Sequence, residues 1–223
     1  MEHNNETICL LWCDPGTVDS LFTVSLVKAF ANKSYPLVDF LRSFGNQIGK
    51  QRQQLLDLWY DKTSYDWVLW VDSDIVFEPE HIESLWSVAN KDTAPVVTGV
   101  YFISQEPEKP MMAPMPAIFT EAEDGLIKSV MALDGTVQPI DVAGMGFVLM
   151  HRSVVSTLRT AFPEVSVFIE EKEPGQRFQG EDVKFFRHLK KAGIPVVAHT
   201  GVLVQHMKRF IFDVKFFEHY WKS

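Results

Sequence analysis

The chain of 223 residues fits one large domain or two small ones, and is long enough for a core that buries roughly 70% of the unfolded surface. Apolar residues make up 46% and charged residues 22%, which excludes extended disorder, and a net charge of −8 argues against a broad electrostatic grip on nucleic acid. No apolar run approaches the ~20 residues of a membrane-spanning helix, and Met1 to Glu6 has neither the basic nor the apolar region of a signal peptide, so the chain reads as cytoplasmic.

Ile8 to Cys13 is an apolar first strand, closed by an Asp14-Pro15-Gly16 turn. Its two cysteines, Cys9 and Cys13, have no second cluster to complete a zinc site, and a disulfide within one extended strand is geometrically difficult. Buried thiols are expected. Asp19 to Ala31 is a helix, Tyr35 to Leu41 a second strand, and Gln47 to Tyr60 a second helix with Ile48, Leu55, Leu56 and Trp59 at helical spacing. Trp67 to Val71 is a short, continuous apolar run, the pattern of a strand buried on both faces, and Ile75 to Phe77 continues apolar. Glu78-Pro79-Glu80 opens a helix that runs to Asn90, and Pro95 to Phe102 is a further strand. This alternation predicts a mostly parallel sheet with right-handed crossovers.

The second half changes character. Ser104 to Pro116 suits an irregular loop in which Met111, Met112 and Met115 offer an adaptable apolar surface. Ala117 to Phe119, Leu126 to Leu133 and Val137 to Met150 read as strands, with Asp134-Gly135 as a hairpin turn. Ser153 to Ala161 and Glu181 to Ala192 are helices, Ile194 to Ala198 and Gly201 to Gln205 short strands, and Phe212 to Trp221 a closing amphipathic helix. The expected class is α/β, with a smaller antiparallel β portion in the second half.

Asp72-Ser73-Asp74 is the most informative stretch. Two residues apart on a strand, the carboxylates point the same way and can aim four oxygens at one cation. They lie at the carboxyl edge of the sheet, where ligands bind in open α/β folds. Like charges this close resist ionisation unless something positive sits between them, and a divalent metal is the natural candidate. A solvated turn capping the strand is the plainer alternative.

Five elements recur in an order and spacing that resemble a GT-A glycosyltransferase, over roughly Thr7 to Lys208: Arg52 on the helix before the strand, Asp72-Ser73-Asp74, the Gly-rich Val142 to Phe147, Gly180-Glu181-Asp182, and His206. The resemblance implies one Rossmann-like catalytic domain, residues 1–223. Its nucleotide-sugar half covers about 7–103, its acceptor and catalytic half about 104–210, and a C-terminal helix 211–223. It implies metal-dependent transfer of a hexosyl or pentosyl group from a nucleoside-diphosphate sugar, a UDP-sugar foremost, to an acceptor hydroxyl. Asp72 and Asp74 match the D-x-D element, which holds Mn²⁺ or Mg²⁺ on the donor diphosphate. Asp74 is then the direct ligand, and Asp72 acts through water or on the ribose. His206 matches a third metal ligand, and a carboxylate-plus-imidazole set favours Mn²⁺. Arg52 faces the nucleotide, Asp14 contacts base or ribose, and Lys208 with Arg209 can hold phosphate. Gly144 and Gly146 lie beside the donor sugar, although a β-bulge would explain them equally well. Asp182, ahead of Glu181, is the implied general base of an inverting displacement.

Gln105 to Ser129 matches nothing in the pattern, which leaves the acceptor open among glycans, lipid carriers, proteins and modified bases of viral DNA. The acidic balance disfavours the last. A sugar-phosphate nucleotidyltransferase would share the metal and diphosphate logic but needs a Gly-rich loop after the first strand, and Asp14-Pro15-Gly16 is not one. A noncatalytic sugar-nucleotide-binding protein would need no base.

Overall fold

A computed structural model of the chain describes residues 5–104, 114–123, 125–168, 180–208 and 214. The first half runs β1 (Ile8–Asp14), α1 (Ser20–Ala31), β2 (Leu37–Phe44), α2 (Ile48–Lys62), β3 (Trp67–Val71), β4 (Ile75–Val76), α3 (Pro79–Val88) and β5 (Val96–Val100). The second runs β6 (Phe102–Ser104), β7 (Pro114–Pro116), β8 (Ile118–Glu121), β9 (Ile127–Ser129), β10 (Val137–Pro139), β11 (Val142–Ala143), β12 (Phe147–His151), α4 (Arg152–Ala161), α5 (Glu181–Lys191), β13 (Val196–Leu203) and β14 (Gln205–His206). Apart from Val214, the expected closing helix lies outside the described residues, as do Met111, Met112 and Arg209.

Seven strands form the central sheet in the order β10-β13-β5-β12-β3-β1-β2. Five point the same way; β12 and β10 run against them. β1, β3 and β5 are buried along their whole length because helices cover both faces. The period of two sorts β3 cleanly: Trp67, Leu69 and Val71 face the layer that holds Phe22 of α1 and Ile82 and Leu85 of α3, while Val68 and Trp70 face Leu55 and Trp59 of α2, Val155 of α4 and Phe185 of α5. The edge strand β2 has only one covered face, so its residues alternate in exposure.

Local chemistry explains the element ends. Asp19 caps α1 by accepting from the Leu21 N–H, and Glu78 with Pro79 starts α3 as its composition implies. Three expectations need correction. The Asp134-Gly135 turn forms, with Gly135 at φ 85°, but it is not a hairpin: β9 before it pairs with β8, and β10 after it pairs with β13. The two short strands expected from Ile194 to Gln205 are largely one strand, β13, whose pairing with β5 slips between Ala198 and Leu203, around Gly201. The third correction concerns Asp72 and Asp74, and it belongs to the site. Cys9 and Cys13 are free, buried thiols. The smaller antiparallel portion is the sheet β11-β8-β9. Among the described residues no helix is long and apolar enough to cross a membrane.

Candidate active site

Four parallel strands end at one edge of the sheet, and each delivers a residue there. β1 ends in Asp14, β3 is followed by Asp72, β5 by Tyr101, and β13 leads into His206 on β14. The start of α5 adds Glu181 and Asp182, and the first turns of α2 add Gln51 and Arg52. Together they line a cleft of about 510 Å³. This is the edge at which open α/β sheets bind ligands.

Arg52 is the hinge of the charge arrangement. Its guanidinium, only 3% exposed, donates through Nη2 to Asp72 Oδ1 (2.6 Å) and through Nη1 to Glu181 Oε1 (2.7 Å) and to Asp182 Oδ1. Burial works against its charge, but Asp182, Asp72 and Glu181 outweigh that and raise its pKa. One guanidinium facing three carboxylates leaves the site with excess negative charge. Burial first, then Asp72 and Glu181, push the Asp182 carboxyl up to about 6 against the pull of Arg52. Its second oxygen accepts the Met145 backbone N–H at 3.2 Å, so both oxygens are fixed in direction.

The two acids of Asp72-Ser73-Asp74 do not share one face. β3 ends at Val71, and the next residues form a tight turn in which the Ile75 N–H returns to the Asp72 carbonyl at 3.0 Å. The turn sends Asp72 to Arg52 and Asp74 to the other wall, where His206 Nε2 lies 3.0 Å and Lys208 Nζ 3.2 Å from Asp74 Oδ2. His206 and Lys208 outweigh the effect of burial and hold the Asp74 carboxyl below its usual range. The set Asp72, Asp74 and His206 is therefore not assembled as three converging ligands, and among the described residues no group of three His, Cys, Asp or Glu side chains is placed to hold a metal.

Asp74 and His206 nonetheless fit one together. His206 Nδ1 lies 2.8 Å from the Phe102 carbonyl, which can only accept, so the network assigns the ring proton to Nδ1. In the neutral ring Nε2 is then a lone pair facing a carboxylate oxygen. Two acceptors at that distance need a positive species between them, either a proton or a cation that takes both oxygen and imidazole ligands, such as Mn²⁺.

Other expected residues are placed differently. The Asp14 carboxylate is fully bonded inside the protein: Arg42 donates through Nε (2.5 Å) and Nη2 (2.8 Å), Trp12 through its indole N–H (2.9 Å), and Gly16 through its backbone (2.7 Å). Arg42 foremost holds its pKa low. That buried carboxylate ties the start of the loop after β1 to Arg42 on β2. Gly144 and Gly146 do not line the cleft; they lie against the ring of Tyr101, which does. Cys13 also lines it, but burial pushes its thiol up to about 12, so no reactive thiolate is present. Tyr101, Gln51 and Arg42 are the site residues that sequence reasoning missed. The two closely spaced glycines were the one signal, since they announce that something packs against the backbone there.

The fold is matched by solved structures of low sequence identity. Among them are A197 from STIV (15% identity, TM-score 0.52, covering 93% of this chain and 97% of that one) and GalNAc-T7 with UDP, GalNAc and Mn²⁺ (11% identity, TM-score 0.60, covering 94% of this chain and 45% of that one). The chain thus spans under half of the GalNAc-T7 chain, and the shared architecture is the GT-A fold. No curated protein matches the sequence. The model of the family described as glycosyltransferase like family 2 matches residues 41–219, a span that takes in Arg52, Asp72, Asp74, Asp182 and His206, and the chain belongs to that family.

Proposed function

We propose that the protein moves a sugar from a nucleoside-diphosphate sugar to an acceptor hydroxyl, with inversion and with a divalent metal. The observation that supports this best is the Arg52 junction: one buried guanidinium holds Asp72 and Asp182 on the same cleft, within a chain of a glycosyltransferase family. The donor half contributes Arg52, Asp72 and Asp74, and the second half contributes Asp182, His206 and Lys208.

Asp182 is the base. A carboxyl with a pKa of about 6 is ionised at neutral pH yet basic enough to accept a proton in the transition state. It takes the proton of the acceptor hydroxyl as that oxygen bonds to the anomeric carbon. The bond from that carbon to the diphosphate oxygen breaks, and its electron pair leaves with the nucleoside diphosphate. A single displacement of this kind inverts the anomeric centre. Lys208, about half exposed beside Asp74, is placed to meet phosphate oxygens. A Mn²⁺ or Mg²⁺ held by Asp74 and His206 would neutralise charge on the leaving diphosphate. Of the candidate donors a UDP-sugar with Mn²⁺ is preferred, in keeping with the ligands of the GalNAc-T7 structure.

The test is a thermal-shift panel of nucleoside-diphosphate sugars with and without Mn²⁺. At least one donor is expected to raise Tm only when Mn²⁺ is present; stabilisation by none of them would overturn the assignment. His206→Ala is expected to weaken the Mn²⁺ titration by about tenfold or more, and Asp74→Ala to abolish metal-dependent turnover. A titration unchanged in His206→Ala would remove that imidazole from the metal set.

A further inference from the structure

Tyr101 has no role in the scheme above, yet the cleft is built around it. It follows β5 directly and is only 6% exposed. Its backbone carbonyl is tied to the Ala117 N–H at 2.9 Å, and its ring meets the His206 imidazole edge-on, with 5.0 Å between centroids. On the other side lie two glycines. A Cβ on Gly144 would stand 1.8 Å from the phenol oxygen, and one on Gly146 would stand 2.7 Å from Cε1, so neither position admits any larger residue while the ring stays in place. The glycines reserve the space this ring fills.

The hydroxyl at its tip has no hydrogen-bond partner among the described residues, although a buried phenol ordinarily finds one. It is not sealed in the core, because Tyr101 lines the cleft together with Asp72, Asp74, Asp182 and His206. A phenol keeps its proton at neutral pH, so this one can donate to an incoming oxygen. Its position says which oxygen. His206, on the metal side, touches its ring, and its hydroxyl lies against Gly144, the neighbour of Met145, whose backbone N–H binds Asp182. In a direct displacement the group between leaving diphosphate and base is the transferred sugar.

We propose that Tyr101 is a binding residue for the transferred sugar: its hydroxyl donates a hydrogen bond to a sugar oxygen, and Gly144 and Gly146 are small in order to seat its ring. This rests on the reading that the cleft takes a nucleoside-diphosphate sugar. The rigid seat makes the contact selective, since a sugar lacking an oxygen at that point would leave the phenol unpaired.

The experiment compares Tyr101→Phe, which removes one oxygen and keeps the ring, with the wild type by calorimetric titration in Mn²⁺. The probes are UDP, GDP, UDP-glucose, UDP-galactose, UDP-N-acetylglucosamine and GDP-mannose. The quantity read is the affinity of a sugar nucleotide relative to its own nucleoside diphosphate. In Tyr101→Phe this ratio is expected to fall by about tenfold for the preferred donor, with nucleoside diphosphate affinity held within about twofold. Gly144→Ala, which displaces the phenol, is expected to lower the same ratio. An unchanged ratio in Tyr101→Phe would overturn the proposal, and so would an equal loss of UDP or GDP affinity, which would mark a diphosphate contact or a structural role. Wild-type protein that binds none of the probes would instead overturn the donor assignment itself, and the role of Tyr101 with it.

Discussion

Asp182→Asn is expected to lower the rate of transfer by about 10²- to 10⁴-fold while nucleoside diphosphate affinity stays near that of the wild type. The wild-type kcat/KM is expected to climb as pH rises through about 6, because the base acts only when unprotonated, and the variant should lose that limb. Stability separates this outcome from misfolding. A folded pKa of about 6, above the ordinary carboxylate range, means that the folded state binds the proton more tightly. The stabilising contribution of the acid is therefore full at low pH and is lost as pH rises through about 6. At pH 7.5 the wild-type protein holds a carboxylate that disfavours folding, and the neutral amide should leave Tm unchanged or raise it. Equal loss of donor binding and transfer would make Asp182 structural. Biological activity that survives the substitution would favour a noncatalytic sugar-nucleotide-binding protein.

Arg52→Met should act in the opposite way on stability. Removing one partner from a buried ion cluster typically costs about 3–5 kcal/mol, because the remaining charges keep their desolvation cost and lose their counterion. Here three carboxylates, Asp72, Glu181 and Asp182, lose the one guanidinium they share. Asp182, already raised, then loses the charge that lowers its pKa and holds its proton more tightly still. The deficit should be largest above pH 7 and shrink as pH falls towards 5 and Asp182 is neutralised. Urea titrations at pH 5.5 and 7.5 measure it. An identical deficit at both values would mean that the stem of Arg52 fills space and that its charge is incidental.

What could be read in the sequence follows from the range over which each signal acts. β1, β3 and β5 announce themselves because strands covered on both faces need uninterrupted apolar residues, and α3 because Glu78 and Pro79 suit a helix start. The order of the strands is another matter. Nothing in Phe147 to His151 says that this strand runs antiparallel between β3 and β5, since both of its faces simply read as apolar. The i, i+2 rule for Asp72 and Asp74 was sound for a strand and failed because the chain turns directly after Asp72, where the Ile75 N–H returns to the Asp72 carbonyl at 3.0 Å. Arg52 was visible as a phosphate-type side chain, but its partners Glu181 and Asp182 lie about 130 positions away, and pattern alone does not reach them. The thiols of Cys9 and Cys13 were simpler, because burial foremost decides their state.

The placement of β12 also governs how the molecule can come into being. Until residues 147–151 have been made, β3 and β5 face each other across a gap one strand wide, each with an unsatisfied row of backbone donors and acceptors and apolar side chains on both faces. Such edges recruit other chains. A fragment ending near residue 104 should therefore aggregate rather than fold, and the ribosome must deliver about 150 residues before the sheet can close. Strands from both halves of the chain interleave in one sheet, so neither half can complete it alone.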